Sequence, residues 1–273
     1  MNKLIYYLAI FQLINFSAFS QEIEMSGTII NADNKATIEF VNIGILNKNK
    51  GTVSNKNGKF SLKLSKDFSG DSLTISHISY ETVKITVENS KNLVIRLQPK
   101  ANELEEVFVI NKKKKSRKFG IKSYNPLLWL ETISEEKDIL ENAQRINIPD
   151  ETTVRVKYVN LYLRTGFESD SCYVRLNFYK NSNDAPGDRI IFENITRNKK
   201  IEPGWLQIDL TKNDIYIQED FFIGVEFMPD FIKPRELYLG AILTKGKGYS
   251  RKNSQGEWKK LEGASTLNVE VEY

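Results

Sequence analysis

Alternation with a period of two dominates this sequence. Phe60-Ser61-Leu62-Lys63-Leu64 sends apolar side chains to one face and polar ones to the other, and Val159-Asn160-Leu161-Tyr162-Leu163 does the same in the second half. Such a pattern suits a strand with one face on a core and the other in water. From Gln21 to Pro99 no stretch shows the helical repeat of 3.6 residues. A chain patterned this way must pair its strands into sheets and bury one face of each sheet. The expectation is an all-β protein built of sandwiches.

The strands are short and the turns frequent. Ile23 to Ile30, Ile38 to Leu46, Thr52 to Ser54, Phe60 to Leu64, Leu73 to Ile78, Val83 to Val87 and Leu93 to Leu97 are the expected strands of a first sandwich. Asn31-Ala32-Asp33-Asn34-Lys35 and Asn47-Lys48-Asn49-Lys50-Gly51 read as turns, and Asn55-Lys56-Asn57-Gly58 carries the Asn-Gly signal of a tight hairpin.

The turns and strands keep a specific spacing. Gly27-Thr28-Ile29-Ile30, Phe40-Val41-Asn42-Ile43 and the run from Gly51-Thr52-Val53-Ser54 through Asn57-Gly58-Lys59-Phe60 are followed by Ile75-Ser76-His77-Ile78-Ser79-Tyr80. Leu93-Val94-Ile95-Arg96-Leu97-Gln98-Pro99 and Glu103-Leu104-Glu105-Glu106-Val107-Phe108-Val109 complete the pattern. This stretch, roughly residues 26–110, resembles the carboxypeptidase-like regulatory domain. Ser79 stands where that family usually has Gly, and Asn55 where Asp is common. The resemblance implies a non-catalytic, transthyretin-like β-sandwich over residues 21–110. Such domains stand at the front of TonB-dependent outer-membrane receptors and of other envelope proteins. A receptor itself is not expected, because a plug and a barrel of about 22 strands need far more chain than follows. The implied partners are an envelope protein or polysaccharide, with TonB-dependent transport components as a further possibility.

Residues 111–150 read as a basic linker and connector. Six of the seven residues from Lys112 to Lys118 are basic, as in a solvated linker, or as in an arm for anionic envelope polymer or lipid. No aromatic residues interleave the run, and nucleic acid is not an expected partner. Leu127, Leu128, Trp129, Leu130 and Ile133 cluster apolar bulk, and Glu141 to Ile148 fits either the connector or the first strand of the next domain.

Residues 151–273 read as a second, jelly-roll-like β-sandwich. Its expected strands include Val154 to Leu163, Tyr173 to Tyr179, Ile190 to Phe192, Trp205 to Leu210, Phe221 to Met228, Leu237 to Leu243 and Leu267 to Val271. Phe178-Tyr179, Ala185-Pro186-Gly187, Gly204-Trp205-Leu206-Gln207-Ile208-Asp209-Leu210 and Phe222-Ile223-Gly224-Val225-Glu226-Phe227 follow in the order seen in carbohydrate-binding-like jelly rolls of envelope proteins, which this half resembles. Three aromatic residues are candidate glycan contacts: Tyr249, Trp258 and Trp205. Trp205 lies inside an alternating strand, which favours the core for it. Tyr249 and Trp258 flank an expected hairpin loop, Ser250 to Glu257.

The opening residues read as an address. Leu4 to Phe19 is mostly apolar after Lys3, and Ala18-Phe19-Ser20 supplies small residues at a cleavage site, so residues 1–20 are expected to be a secretory signal peptide. No Cys follows the apolar run to take a lipid, and no later segment resembles a membrane span. The mature chain is therefore expected in the periplasm, at the outer membrane or outside the cell, without a transmembrane segment. Its formal charge of +4, one less without Lys3, is too mild to name an electrostatic partner.

Composition narrows the chemistry. There is one Cys, Cys172, and one His, His77. A disulfide framework and a Cys/His zinc site are excluded, and a nucleophilic dyad or triad would have to use these residues. His77 and Cys172 each sit in a strand-like stretch of a different sandwich and read as packed residues. Asn181, Asn183, Asp184 and Asp188 crowd one loop with hard oxygens, though not at EF-hand spacing. Glu219, Asp220, Glu226 and Asp230 are available for a carboxylate pair, but nothing in the alternation pairs any two. No phosphate loop, H-E-x-x-H or G-x-S-x-G occurs. The expectation is a non-enzymatic exported envelope protein that binds or scaffolds, without cofactor or metal. A carbohydrate-binding accessory of a glycan uptake or degradation system is the alternative, and a hydrolase with a carboxylate pair the minor one.

Overall fold

The computed structural model describes residues 22–100, 115–132, 140–149, 152–165, 169–191, 193–229, 237–253 and 255–273. The expected signal peptide, the tail from Glu103 to Val109 and Asp230 lie outside them. Among the described residues the elements are strands and one 3-10 turn, Lys66–Phe68.

The first sandwich is made of β1 (Glu22–Asn31), β2 (Asn42–Ile45), β3 (Lys50–Val53), β4 (Lys59–Ser65), β5 (Ser72–His77), β6 (Tyr80–Thr86) and β7 (Ser90–Leu97). A three-stranded sheet in the order β4-β1-β7 faces a four-stranded sheet in the order β3-β2-β5-β6. In β4 the alternation is realised as expected, with Phe60, Leu62 and Leu64 buried and Lys59, Ser61 and Lys63 exposed. Met25, Ile29, Ile43, Leu73, Ile75 and Leu97 meet them in one core. Asn55 Oδ1 accepts from the amides of Asn57 and Lys59 and closes the expected hairpin.

One strand is shorter than the alternation suggests. Of Ile38 to Leu46 only Asn42–Ile45 pairs as β2. Phe40 has a positive φ of 54°, which breaks the strand ahead of β2. Buried Ser54 holds this turn: its Oγ accepts from the Val41 amide and donates to the Ile38 carbonyl.

The second sandwich begins earlier than the connector reading allows. Its strands are β8 (Ser116–Gly120), β9 (Trp129–Glu131), β10 (Leu140–Ile146), β11 (Val154–Thr165), β12 (Ser169–Ser182), β13 (Ala185–Arg189), β14 (Ile195–Ile201), β15 (Gly204–Asp209), β16 (Ile215–Ile217), β17 (Phe221–Pro229), β18 (Leu237–Ile242), β19 (Gly248–Lys252), β20 (Lys259–Lys260), β21 (Ala264–Ser265) and β22 (Leu267–Glu272). One sheet runs β13-β12-β17-β10-β19-β20 with β14 also on β12. The other is centred on β11, with β22 and β18 along one edge, β15 and β16 along the other, and β8 and β9 beyond. Val159, Leu161, Val174, Leu176, Phe178, Ile223, Val225, Leu267 and Val269 fill the space between the sheets.

Three strands thus come from residues read as linker and connector. The end of the basic run is part of β8, where Lys118 lies 3.6 Å from Glu270 on β22 and Arg117 stacks on Phe119. The density of charge there hid a strand. β10 takes a central place, paired with β17 and β19. A second difference concerns the polar loop expected from Asn181 to Asp188. Asn183 and Asp184 both adopt positive φ, 51° and 66°, so the chain reverses at once and Ala185–Arg189 returns as a strand.

Candidate functional site

Two polar faces of the second sandwich carry its chemistry, and they differ in what covers them. On the sheet holding β12, β17, β10 and β19, the face turned away from the core bears a row of charges. Arg175 on β12 is opposite Glu226 on β17, and Glu141 on β10 is opposite Arg251 on β19. Asn142 pairs with Val225, which brings Glu141 beside Glu226. The row reads Arg, Glu, Glu, Arg across four strands.

Every member of the row has partners. Glu141 Oε1 accepts from Tyr179 Oη at 2.7 Å and Asn177 Nδ2 at 2.8 Å, and its Oε2 accepts from Arg251 Nε at 2.8 Å. Asn177 also donates to Glu226 at 3.3 Å, and Arg175 Nε donates to Glu226 Oε2 at 2.5 Å. Arg175 then reaches across to the first sandwich, donating to the Phe40 carbonyl and to Asn42 Oδ1, both at 2.6 Å. Both carboxylates are fully buried and Arg175 nearly so. Burial pushes Glu226 above the usual carboxylate range, with Arg175 opposing and Glu141 adding to the rise. For Glu141 burial also acts upward, but Arg251, Arg189 and the bonds from Tyr179 and Asn177 together outweigh it and hold the carboxyl below that range. Gly224 leaves the room this needs, since a Cβ there would sit 2.1 Å from Glu141 Oε1 and 2.9 Å from the Tyr179 ring.

This face is an interface between the sandwiches. Phe40 and Val53 pack on Met228 and Tyr173, Gln255 Nε2 donates to Ser76 Oγ at 2.8 Å, and the Asn47 amide donates to the Gln255 carbonyl at 3.0 Å. Such an arrangement orients two domains. It does not offer a carboxylate pair to a substrate, because glycoside cleavage needs the pair on either side of an admitted bond.

The other sheet keeps an uncovered aromatic platform. Tyr162 on β11 is opposite Trp205 on β15, with ring centroids 5.3 Å apart and the rings edge to face. Tyr124 stacks on Tyr162 at 4.1 Å, and Trp129 on β9 lies 5.9 Å from it, also stacked. Gly240 lets the Tyr162 ring lie over β18, since a Cβ there would meet it at 3.0 Å. Tyr124 is 50% exposed and Trp205 45%, high values for large rings. One residue pair along the strands, a ladder of amides crosses the same face. Gln207 donates to Asn160, Asn160 to Asn268, and Asn268 to the Ile121 carbonyl, at 3.1, 3.0 and 3.2 Å. Of these amides Asn160 and Asn268 are buried and Gln207 is exposed. Exposed rings such as Trp205 and Tyr124 near an exposed amide are elements that can hold a sugar, the ring taking the C–H face and the amide a hydroxyl.

The three aromatic residues proposed from sequence do not form one site. Tyr249 is buried edge to face against Phe222, and Trp258 is half-buried under Arg251, whose guanidinium stands 4.3 Å above its ring. Both belong to the covered sheet. Trp205, expected in the core, is on the open one. Sequence reasoning missed Tyr124, Trp129 and Tyr162. Tyr162 could have been found, because it alternates with Leu161 and Leu163 and so shares the polar face of its strand with Asn160 and Arg164.

The remaining candidates have ordinary surroundings. Asp184 is ion-paired with both Arg145 and Lys247, so the loop rich in hard oxygens is a charge cluster. Among the described residues no group of His, Cys, Asp and Glu could hold a metal. Asp220 accepts from Arg145 and from the Ile148 amide. The His77 ring is held neutral at a pKa of about 4, by burial first and then by Arg175, Arg189 and Lys100 nearby, and its Nδ1 accepts from the Ser79 amide. Burial pushes the Cys172 thiol up to about 12. The native chain is therefore expected to resist a thiol-specific chromogenic reagent at pH 8 and to take up one equivalent after unfolding in guanidinium. Rapid labelling of the native chain would show that Cys172 is not buried.

Residues 25–109 match the family model described as the CarboxypepD_reg-like domain, a family of non-catalytic domains. No curated protein matches the chain. Among solved structures, a chain in the structure of the infectious bursal disease virus Gt strain is 10% identical, with a TM-score of 0.32; the match covers 92% of this chain and 58% of that one. For T=1 particles derived from a mutant VP2 protein of the same virus the identity is 10%, the TM-score 0.28, and the shares 92% and 61%. At such scores the likeness bears on neither fold nor function.

Proposed function

We propose that this chain, with its CarboxypepD_reg-like domain at residues 25–109, is an exported non-catalytic envelope protein that binds a polysaccharide on the platform formed by Tyr124, Tyr162 and Trp205. The observation that carries the reading is the exposure of Trp205 and Tyr124 at 45% and 50% beside an ordered amide ladder. Exposed aromatic rings lose hydration cost when a ligand covers them, and the exposed Gln207 amide, held by Asn160, adds direction. The signal-like residues 1–20 support export, and the family of the first domain supports a binding role. A place at or near the outer membrane, beside a glycan uptake or degradation system, fits both.

The test is native electrophoresis of the full chain through gels containing soluble polysaccharides, followed by calorimetry on those that retard it. Trp205→Ala is expected to weaken binding about tenfold, the scale of one lost aromatic stack. It should leave thermal stability almost unchanged, as a substitution at an exposed position does. Absence of retardation by every polymer would overturn the reading. Leu127, 84% exposed and three residues after Tyr124, supports a second reading in which the platform docks a protein. In that case Leu127→Ser would weaken the contact as much as Trp205→Ala does, whereas a glycan contact should tolerate it.

A further inference from the structure

We infer that the platform selects an acidic polysaccharide and that Arg164 is the residue that reads the acid. The inference rests on the polysaccharide reading of the same platform. Arg164 lies two residues beyond Tyr162 on the same face of β11, which puts their Cα atoms about 7 Å apart, within the span of one sugar residue. Its guanidinium stands 5.4 Å above the Trp129 ring, so the indole supports one face of the plane. A guanidinium held over a ring in this way keeps in-plane donors that can grip a planar carboxylate with two bonds.

Among the described residues Arg164 shares the lack of an ion-paired acid with Arg96, Arg117 and Arg197, but of these it alone stands over a ring of the platform. Arg145 has Asp184 and Asp220, Arg155 has Asp214, Arg175 has Glu226 and Arg251 has Glu141. Among the described residues Arg164 has no carboxylate within ion-pair distance. Its cross-strand neighbour on β18 is Tyr238, and Glu131 lies on the far side of that tyrosine. The side chain is exposed, and among the described residues the cation at the edge of the platform meets the Trp129 ring but no carboxylate. A neutral sugar needs rings and amides alone. An arginine held on a platform ring supplies what a uronate carboxylate or a sulfate ester requires.

The experiment compares polymers that share a backbone and differ in charge. The full chain is measured by affinity electrophoresis and calorimetry against polygalacturonate and its methyl ester, and against dextran sulfate and dextran. The expected result is tighter binding of the charged member of at least one pair, with the pair that responds telling carboxylate from sulfate. Arg164→Ala is expected to remove about tenfold of that affinity, the scale of a charge-assisted bond, and to leave the neutral partner's affinity unchanged. Arg164→Lys should recover only part, because it lacks the planar fork. Equal binding of charged and neutral members, or equal weakening of both by Arg164→Ala, would overturn this inference while Trp205→Ala still tests the platform. Failure to bind any polymer would overturn both.

Discussion

Replacing Arg175 with alanine is expected to destabilise the protein by about 3–5 kcal/mol, the cost of removing one partner from a buried ion pair. The loss is larger than an ordinary contact because three acceptors are stranded together. Glu226 keeps a buried charge with only Asn177 left, and the Phe40 carbonyl and Asn42 Oδ1 lose their donor at the junction of the sandwiches. Equilibrium unfolding in urea should show a lowered midpoint. The first sandwich should also separate from the second before either core melts, so the transition should split in two or limited proteolysis should cut between the domains. A single transition at the native midpoint would mean that Arg175 does not join the domains. Arg175→Lys should rescue little, since one ammonium cannot span Glu226, Phe40 and Asn42 together.

Glu141→Gln is expected to cost about 3 kcal/mol at neutral pH, near the lower end of the same range, because the amide still accepts one bond while Arg251 loses its counter-charge. It should also change the acid limb. The folded Glu141 carboxyl sits below its unfolded value of about 4.3. Its stabilisation is therefore fully present above that value and is lost as pH falls through the lower, folded one. Glu226 has the opposite sign. Burial raises its folded value, so the native state takes that proton first and gains relative stability as pH falls through the raised value. Denaturation midpoints measured from pH 7 to pH 3 should decline below about pH 4 in the wild type, and the decline should be shallower in Glu141→Gln. An unchanged slope would show that Glu141 is not the carboxylate that titrates with unfolding.

Much of the architecture could be read locally. Phe60, Leu62 and Leu64 declared their common face, and the Asn-Gly hairpin came where its residues stand. The strand parity around Trp205 was equally plain: Leu206, Ile208 and Leu210 alternate inward, which leaves Trp205 with Gln207 and Asp209 on the polar side. The size of an indole argued for the core, and the parity was the better guide. The Ile38 to Leu46 run misled in the other direction, because nothing local reveals that Phe40 turns in the left-handed region and packs its ring on Tyr173 and Met228 of the other sandwich. Nor could the charge density of Lys112 to Lys118 reveal that β22 would supply Glu270 as a neighbour for Lys118.

The sequence by itself determined that the chain is all β and which side chains share a strand face, because adjacent residues on an extended backbone must point to opposite sides. It could not determine what lies over a face. Glu141 and Arg251 are opposite each other only because β10 and β19 pair in one register, and Glu226 joins them only through β17. Those pairings join residues distant in the chain, set by how whole sheets pack. The same polar patterning thus became a sealed ionic row where the first sandwich docks, and on the other sheet a face that leaves Trp205 and Tyr124 half exposed. Tertiary structure decided which of the two faces could meet a ligand, because burial is a property of the assembled layers and not of any one strand.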